Sequence, residues 1–152
     1  MINMTSSTHP RELIASELFG RVALLTRLIV RAMDGPMSRT EAGLLNALSD
    51  GPRRITELAE LEGLAQPTMT LLVKRLAELG WVARERHASD GRVVLVRRTA
   101  AGARALDGFR ARAAEVLNAS LEQLRDEQLQ ALGDAVVALD ALIGELQREP
   151  GR

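Results

Sequence analysis

The 152 residues carry twenty basic and twenty acidic side chains, so the formal net charge is zero, and 46% of the residues are apolar, which is enough for a folded core. The sequence has no cysteine, two histidines and 2% aromatic residues. It therefore excludes disulfides, thiolate metal sites and thiol-based redox sensing, and it argues against a base-stacking platform for single-stranded nucleic acid.

Other function classes are disfavoured by what the sequence lacks. Apolar runs stay shorter than the roughly 18 residues of a membrane span, and the first ten residues lack the pattern of a signal peptide. We therefore expect a cytoplasmic protein with no membrane partner. His9 and His87 have no carboxylate or second histidine at ligand spacing, so we predict neither a metal nor a cofactor. An enzyme is disfavoured because no nucleophilic triad, phosphate-cradling glycine loop or carboxylate pair is apparent.

The charge is distributed unevenly along the chain. Residues 52–98 carry nine cationic side chains against six acidic ones, a net charge of about +3. Residues 115–149 carry eight acidic side chains against two arginines, a net charge of about −6. A basic middle segment favours contact with a polyanion, although ordinary solvated surface is the alternative.

Two helices are predicted before the basic segment. The first runs from Pro10 to Met33, where apolar residues recur at helical spacing, and Asp34-Gly35-Pro36 ends it. The second opens at Ser38, which has capping-box spacing to Glu41, and ends at residues 50–52.

A helix-turn-helix is predicted next. Thr56 is the expected N-cap of a short helix over residues 57–62, with Leu58, Ala59 and Leu61 facing inward. A tight turn at Gly63 leads to a second helix that begins at Gln66-Pro67 and runs to about Leu79. The apolar face predicted for this second helix consists of Met69, Leu72, Val73 and Leu76.

A β-hairpin follows directly. Residues 81–86 and 92–97 are extended runs rich in β-branched or aromatic residues, and Asp90-Gly91 between them is a hairpin signal. A hairpin placed after a helix-turn-helix is a wing, and over residues 81–98 this one carries five arginines against two acidic residues.

The remaining sequence predicts a long helix. Thr99 is its expected N-cap, and it is interrupted near residues 118–125 before it continues to about Arg148. Its last part has a heptad pattern of apolar residues. The predicted fold is mainly α with a small β-wing, in which a winged helix-turn-helix domain (38–99) is flanked by dimerisation helices (10–34 and 100–148). An intramolecular helical bundle in a monomer is the alternative.

The order of parts resembles the multiple-antibiotic-resistance-regulator (MarR) family of winged-helix transcription factors over nearly the whole chain. The most specific stretches are residues 80–84, 90–92 and 99–102, and residues 55–59 and 66–70 are consistent with it. The resemblance implies that Arg92 enters the minor groove and that Asp90 holds the wing in shape. It also implies that Thr68, Thr70 and Lys74 lie along the major-groove helix.

Three positions depart from the family pattern. Ala65 stands where a serine cap is common, Leu71 stands where an arginine often meets phosphate, and Arg98 stands where a leucine is usually buried. Affinity is therefore expected to depend more on other arginines and on the wing. Arg98 is either a further phosphate contact or a residue whose stem lies along the surface with its charged end in water.

Base recognition is expected near the start of the second helix of the helix-turn-helix. Gln66 is the best candidate for adenine, unless Gln66 and Thr68 merely cap the helix. The residues predicted to contact DNA are Arg53, Arg54, Thr56, Gln66, Pro67, Thr68, Thr70, Lys74, Arg75, Arg84, Arg86, Asp90 and Arg92. The residues predicted to form the dimer interface are Ile14, Leu18, Val22, Leu25, Leu129, Leu132, Val136, Leu139, Ile143 and Leu146.

The sequence thus predicts a homodimeric transcriptional repressor that binds a near-palindromic operator in double-stranded DNA. The resemblance implies that a small anionic or aromatic effector binds between the dimerisation helices and the winged helix-turn-helix domains, which we call the reading heads. Binding of the effector releases the DNA. A winged-helix module that binds protein and not DNA is the alternative.

Overall fold

The computed structural model describes residues 10–86 and 94–148, which form two compact units, one up to Ala114 and one from Glu115 onward. Within these residues the chain forms six helices and three short strands. The helices are α1 (Pro10–Ala32), α2 (Arg39–Ala47), α3 (Ile55–Leu61), α4 (Gln66–Glu78), α5 (Ala100–Leu121) and α6 (Asp126–Arg148), and the strands are β1 (Arg53–Arg54), β2 (Val82–Arg86) and β3 (Val94–Arg98). The predicted fold class, mainly helical with a small β-wing, is confirmed.

The start of α2 has the capping box that the sequence predicts. The Glu41 N–H donates to Ser38 Oγ at 3.2 Å, and the Ser38 N–H donates to Glu41 Oε2 at 2.7 Å. Two backbone donors at the helix start are thereby satisfied. The Glu41 side chain is nonetheless almost completely buried, which makes it unusual for a carboxylate.

The start of α3 differs from the prediction. The N-cap is Arg54 and not Thr56, which lies inside the first turn. The Arg54 N–H donates to Glu57 Oε2 at 3.0 Å, so the carboxylate three residues into the turn satisfies the cap donor and no hydroxyl is needed. The prediction that Leu61 faces inward is also wrong: it is exposed, and Leu64, beyond the turn, packs against the core.

The turn between α3 and α4 follows the predicted pattern. Gly63 has a φ of +62°, a left-handed conformation that glycine adopts without a steric penalty, and the Leu64 N–H donates to the Ala59 carbonyl at 2.9 Å. Helix α4 then begins at Gln66, with Ala65 as its N-cap. The two helices therefore form the predicted helix-turn-helix.

The sheet has the strand order β1-β3-β2, and both strand pairs are antiparallel. Val82 is opposite Arg98 and Arg86 is opposite Val94, as expected for the two arms of a hairpin. The two-residue strand β1 is not predicted by the sequence, because a run so short has no periodicity. It joins the sheet through the pairing of Arg53 with Val96.

The core of the first unit lies between α2, α3, α4 and the sheet. Its most completely buried side chains are Leu44, Leu45, Leu58, Met69, Val73, Leu76 and Val96. Leu106 of α5 is buried in the same cluster. Because these side chains come from α2, α3, α4 and β3, burial of their apolar surface holds the helix-turn-helix and the wing in one arrangement.

The hairpin is joined to α5 through a close backbone contact. Thr99 Oγ1 accepts the Gly102 N–H at 3.0 Å, which confirms the predicted cap, and its hydroxyl donates to the Gly80 carbonyl at 2.6 Å. The Thr99 N–H donates to the Trp81 carbonyl at 3.0 Å. A Cβ added at Gly102 would lie 2.0 Å from that same Trp81 oxygen, so the approach requires glycine.

The predicted interruption of the long helix is present between Leu121 and Asp126. Helix α6 then contains no buried residue in the single chain. The apolar residues of its heptad pattern, which we call the seam residues together with those predicted for the interface on α1, are largely exposed. Their exposed fraction runs from 37% at Leu129 to 65% at Leu146, and Leu139 is partly covered. Helix α1 likewise exposes Ile14, Val22 and Leu25. No helix among the described residues is long and apolar enough to cross a membrane.

Candidate nucleic-acid interface

Helix α4 has one buried face and one exposed face. Met69, Val73 and Leu76 have no exposed surface, and they anchor the helix on the core. The residues of the opposite face, which we call the α4 outer face, are Pro67, Leu71, Lys74 and Glu78, and all four are exposed. The sequence pattern thus places the charged residues Lys74 and Glu78 toward solvent, together with Pro67 and Leu71, while the inner face fixes the helix.

The first turn of α4 presents side chains suited to base edges. Gln66, Thr68 and Thr70 are all exposed. The interpretation that Gln66 or Thr68 caps the helix is wrong, because Ala65 occupies the N-cap position and no side-chain cap bond forms there. The Thr70 hydroxyl donates to the Gln66 carbonyl at 2.9 Å, so its lone pairs remain available to accept a hydrogen bond.

Arg75, one of the predicted DNA contacts, is tied to α2. Its Nε lies 2.8 Å from Glu41 Oε1, while 63% of the arginine side chain is exposed. Glu41 thus accepts a hydrogen bond at the α2 cap with one oxygen and forms an ion pair with Arg75 of α4 through the other. Arg75 has further N–H donors on its exposed guanidinium, so pairing with Glu41 leaves it able to contact a phosphate. The nearby pair between Lys74 and Glu78, at 4.0 Å and exposed, is weak.

Arg53 has a partner within the fold. Its Nε donates to the Ala47 carbonyl at 2.8 Å at the end of α2. Arg54 and Thr56, by contrast, are exposed at the start of α3. The structure therefore gives Arg53 a structural role in the free protein and leaves Arg54 and Thr56 accessible.

Sequence reasoning missed a cluster of arginines at the end of α2. Arg98 Nη1 donates to Ser49 Oγ at 2.9 Å, and Arg110 Nη2 donates to Asn46 Oδ1 at 2.6 Å. With Arg53 they form what we call the α2 arginine cluster (Arg53, Arg98 and Arg110). Positive charge at a helix C-terminus is favourable because unpaired carbonyls point there. The three residues come from β1, β3 and α5, so no local pattern could have revealed their convergence.

The two arms of the wing are β2 and β3. Arg84 is exposed on β2, and Arg97 on β3 pairs with Glu85 across the hairpin at 3.1 Å. Arg86 ends β2. The predicted wing residues Asp90 and Arg92 lie outside the described residues.

A cleft of about 630 Å³ lies between α1 and the start of α2. Apolar side chains such as Leu24 and Val30 line it together with Arg27, Arg31 and Arg39. Arg39 also acts on Glu62 at the end of α3: burial raises the pKa of the Glu62 carboxyl, and the charge of Arg39 offsets part of that rise. Three guanidinium groups beside an apolar wall suit a small anion with an apolar body.

Comparison with known proteins identifies the family. The sequence profile of the MarR family matches residues 36–93. The HTH-type transcriptional regulator ML2140 of Mycobacterium leprae is 33% identical over 134 residues, which cover 87% of this chain and 94% of that protein. The chain belongs to the MarR family. This MarR protein is also 28% identical to the HTH-type regulator YpoP of Bacillus subtilis over 109 residues, 71% of the chain and 77% of YpoP.

Solved structures agree with this assignment. The regulator Tm0710 of Thermotoga maritima is 25% identical and superimposes with a TM-score of 0.66, covering 93% of this MarR protein and 99% of Tm0710. PcaV of Streptomyces coelicolor, solved in complex with its natural ligand, is 25% identical with a TM-score of 0.53 over 93% and 98% of the two chains. The resemblance drawn from the sequence is thus confirmed: this is a DNA-binding transcriptional regulator of winged-helix fold and not an enzyme.

Proposed function

We propose that this MarR protein is a homodimeric repressor that binds a near-palindromic operator and is released by a small anionic or aromatic ligand. The observation that carries the proposal is the exposed surface of α4, where the α4 outer face with Lys74 lies beside the short polar side chains of the first turn, while the inner face is locked in the core. A helix presented in this way fits the major groove, where base edges differ in donors and acceptors.

Several of the predicted contacts support DNA binding together. Gln66, Thr68 and Thr70 are exposed on the first turn of α4, where they reach base edges, and Lys74 is available for phosphate. Outside α4, the arginines of the wing add positive charge, and Arg92 is assigned to the minor groove, where it senses groove width and negative potential. Asp90 retains its proposed role of holding the wing in shape.

Dimerisation is supported by apolar surface that a single chain leaves in water. The ten seam residues of α1 and α6 are exposed or only partly covered. Contiguous apolar faces of this kind mark interaction sites, and a two-fold axis would let each copy bury the same surface. Two reading heads about one helical turn of DNA apart are the geometric consequence.

Ligand control is supported by the cleft beside α1. Its arginines Arg27, Arg31 and Arg39 would pair with an anionic group, and its apolar wall would cover an aromatic ring. PcaV, a relative of similar fold, has been solved with its natural ligand. A ligand that binds one spacing of the heads better than the other shifts the population toward that spacing. Repression needs no further machinery, because a dimer on a promoter obstructs polymerase, and we place the protein in the cytoplasm with its operator.

The test uses the full chain and a duplex of the DNA directly upstream of its gene. Sedimentation should give about twice the chain mass of 16.5 kDa. Duplex binding should weaken steeply as salt rises, because each phosphate contact releases counterions. Little duplex binding at any salt would instead favour a protein-binding module, and a 16.5 kDa species would refute the dimer.

Arg92→Ala tests the wing within the same assay. We expect severalfold weaker binding with an unchanged circular dichroism spectrum, since a minor-groove arginine contributes contact and charge but not folding. Arg148→Ala, which removes one arginine from the last turn of α6, is the matched control and should bind like the wild type. Operator affinity of Arg92→Ala equal to that of the control would contradict the assignment.

A further inference from the structure

Leu71 is an exposed leucine at the centre of the α4 outer face. It is 69% exposed, the highest value among the large apolar residues described between Ser38 and Arg98. Pro67 lies one turn before it and Lys74 one turn after it on the same face. Leu71 therefore occupies the middle of the surface proposed to face the major groove.

The fold does not need Leu71. The inner face of α4 is already filled by Met69, Val73 and Leu76, none of which has exposed surface. Single leucines on a protein surface are common, so exposure alone decides nothing. The position of Leu71 is informative, because it lies between groups suited to base edges and phosphates. Its side chain cannot form hydrogen bonds, so in a complex with DNA it must contact either water or an apolar part of the DNA.

The major groove offers one apolar group on its base edges, the C5-methyl of thymine. We infer that Leu71 is a specificity-determining residue that recognises thymine through this methyl group. The inference rests on the proposed function, because it requires α4 to enter the groove. It predicts that position 71 discriminates thymine from cytosine by contact with the methyl group and without a hydrogen bond.

The size of the effect follows from the burial of one methyl group. Covering a methyl that water would otherwise hydrate improves binding by about fourfold. A dimer reads two half-sites, so removal of the contacted methyl from both should weaken binding by about fifteenfold.

The experiment locates the bound region in the upstream duplex by footprinting. The thymines of each half-site are then replaced by deoxyuridine, which lacks only the methyl group. Fluorescence anisotropy at fixed salt should show one symmetric position whose substitution weakens wild-type binding by about fifteenfold. At that position Leu71→Ala should bind the thymine and uracil duplexes equally, and 5-methylcytosine should bind the wild type better than cytosine does.

Leu61→Ala is the matched control, because it removes another exposed leucine, 59% exposed, from the end of α3. It should keep the full sensitivity to uracil, and both variants should melt near the wild-type temperature. Equal wild-type affinity for all uracil and thymine duplexes overturns the inference but leaves DNA binding intact. Retained sensitivity in Leu71→Ala also overturns it. Failure of the wild type to bind any of the duplexes overturns the proposed function and this inference with it.

Discussion

Gly102→Ala should destabilise the protein although it places a better helix former inside α5. The added Cβ would lie 2.0 Å from the Trp81 carbonyl oxygen and 2.9 Å from its carbon. Both atoms belong to the backbone, so no side chain can rotate away. To restore ordinary contact, the start of α5 or the base of the hairpin must move until the 2.0 Å separation reaches about 3.4 Å.

The expected loss can be assembled from three contributions. Forced overpacking costs about 1–3 kcal/mol, and weakening the 3.0 Å bond from the Thr99 N–H to the Trp81 carbonyl costs about 1 kcal/mol. Replacing glycine by alanine in a helix returns about 1 kcal/mol. The net loss of about 2 kcal/mol in the free energy of unfolding should lower the melting temperature by about 4–8 °C.

Gly108→Ala is the control in the same helix. Its Cβ would meet only Arg112 Nη1, at 3.6 Å, which is an ordinary contact. Only the higher helix propensity of alanine should therefore act, and it should raise the melting temperature by about 2–4 °C. Thermal unfolding followed by circular dichroism at one protein concentration measures both variants, because the stability of a dimer depends on concentration. Equal stability of the two variants would refute the reasoning from the Trp81 contact.

Three further predictions follow from the charged groups. Glu41→Ala should lower the free energy of unfolding by about 1–2 kcal/mol in urea denaturation, because the α2 cap loses its reciprocal bond and Arg75 loses its partner. Glu41→Gln keeps an oxygen for the Ser38 N–H, so its free energy of unfolding should fall less than that of Glu41→Ala. An equal fall in both variants would contradict the capping role. Because burial raises the pKa of the Glu62 carboxyl, its ionisation opposes folding: the stability it contributes is present in acid and is lost as pH rises through that raised pKa. Glu62→Gln should then be more stable than the wild type at neutral pH, and melting curves at successive pH values should converge below the ordinary carboxyl pKa; a constant difference would argue against titration of Glu62. Arg54→Ala should weaken binding to the upstream duplex and reduce its salt dependence, since Arg54 is exposed beside the reading helices.

The features predicted correctly from the sequence depend on residues close together in the chain. The capping box of Ser38 and Glu41 spans three residues, and the cap from Thr99 to Gly102 spans three more. The turn at Gly63 and the arms of the hairpin are equally local. In each case a short pattern fixes the geometry, because the partners are brought together by the helix or turn itself.

The features that sequence reasoning missed depend on distant partners. Strand β1 pairs with β3 through Arg53 and Val96, and Leu64 beyond the turn packs on the core while Leu61 is exposed. Arg98 donates a hydrogen bond to Ser49, which lies 49 residues earlier in the sequence. Such contacts follow from tertiary packing, which neither periodicity nor capping patterns encode. For the candidate site, the α4 residues that the sequence names are exposed, and their contacts with DNA stay a prediction. The sequence did not reveal the internal partners of Arg53 and Arg75.

The α2 arginine cluster holds the end of α2 mainly through bonds to uncharged groups, because the ion pairs of Arg53 with Asp50 at 4.0 Å and of Arg110 with Asp107 at 3.7 Å are exposed and weak. Its three guanidinium groups donate to a backbone carbonyl, a hydroxyl and an amide, all of them uncharged acceptors. Added electrolyte screens attraction between opposite charges far more than it weakens short bonds of this type. Concentrated salt that strips the regulator from its operator should therefore leave the end of α2 intact, and the protein recovered on dilution should be ready to bind again without refolding.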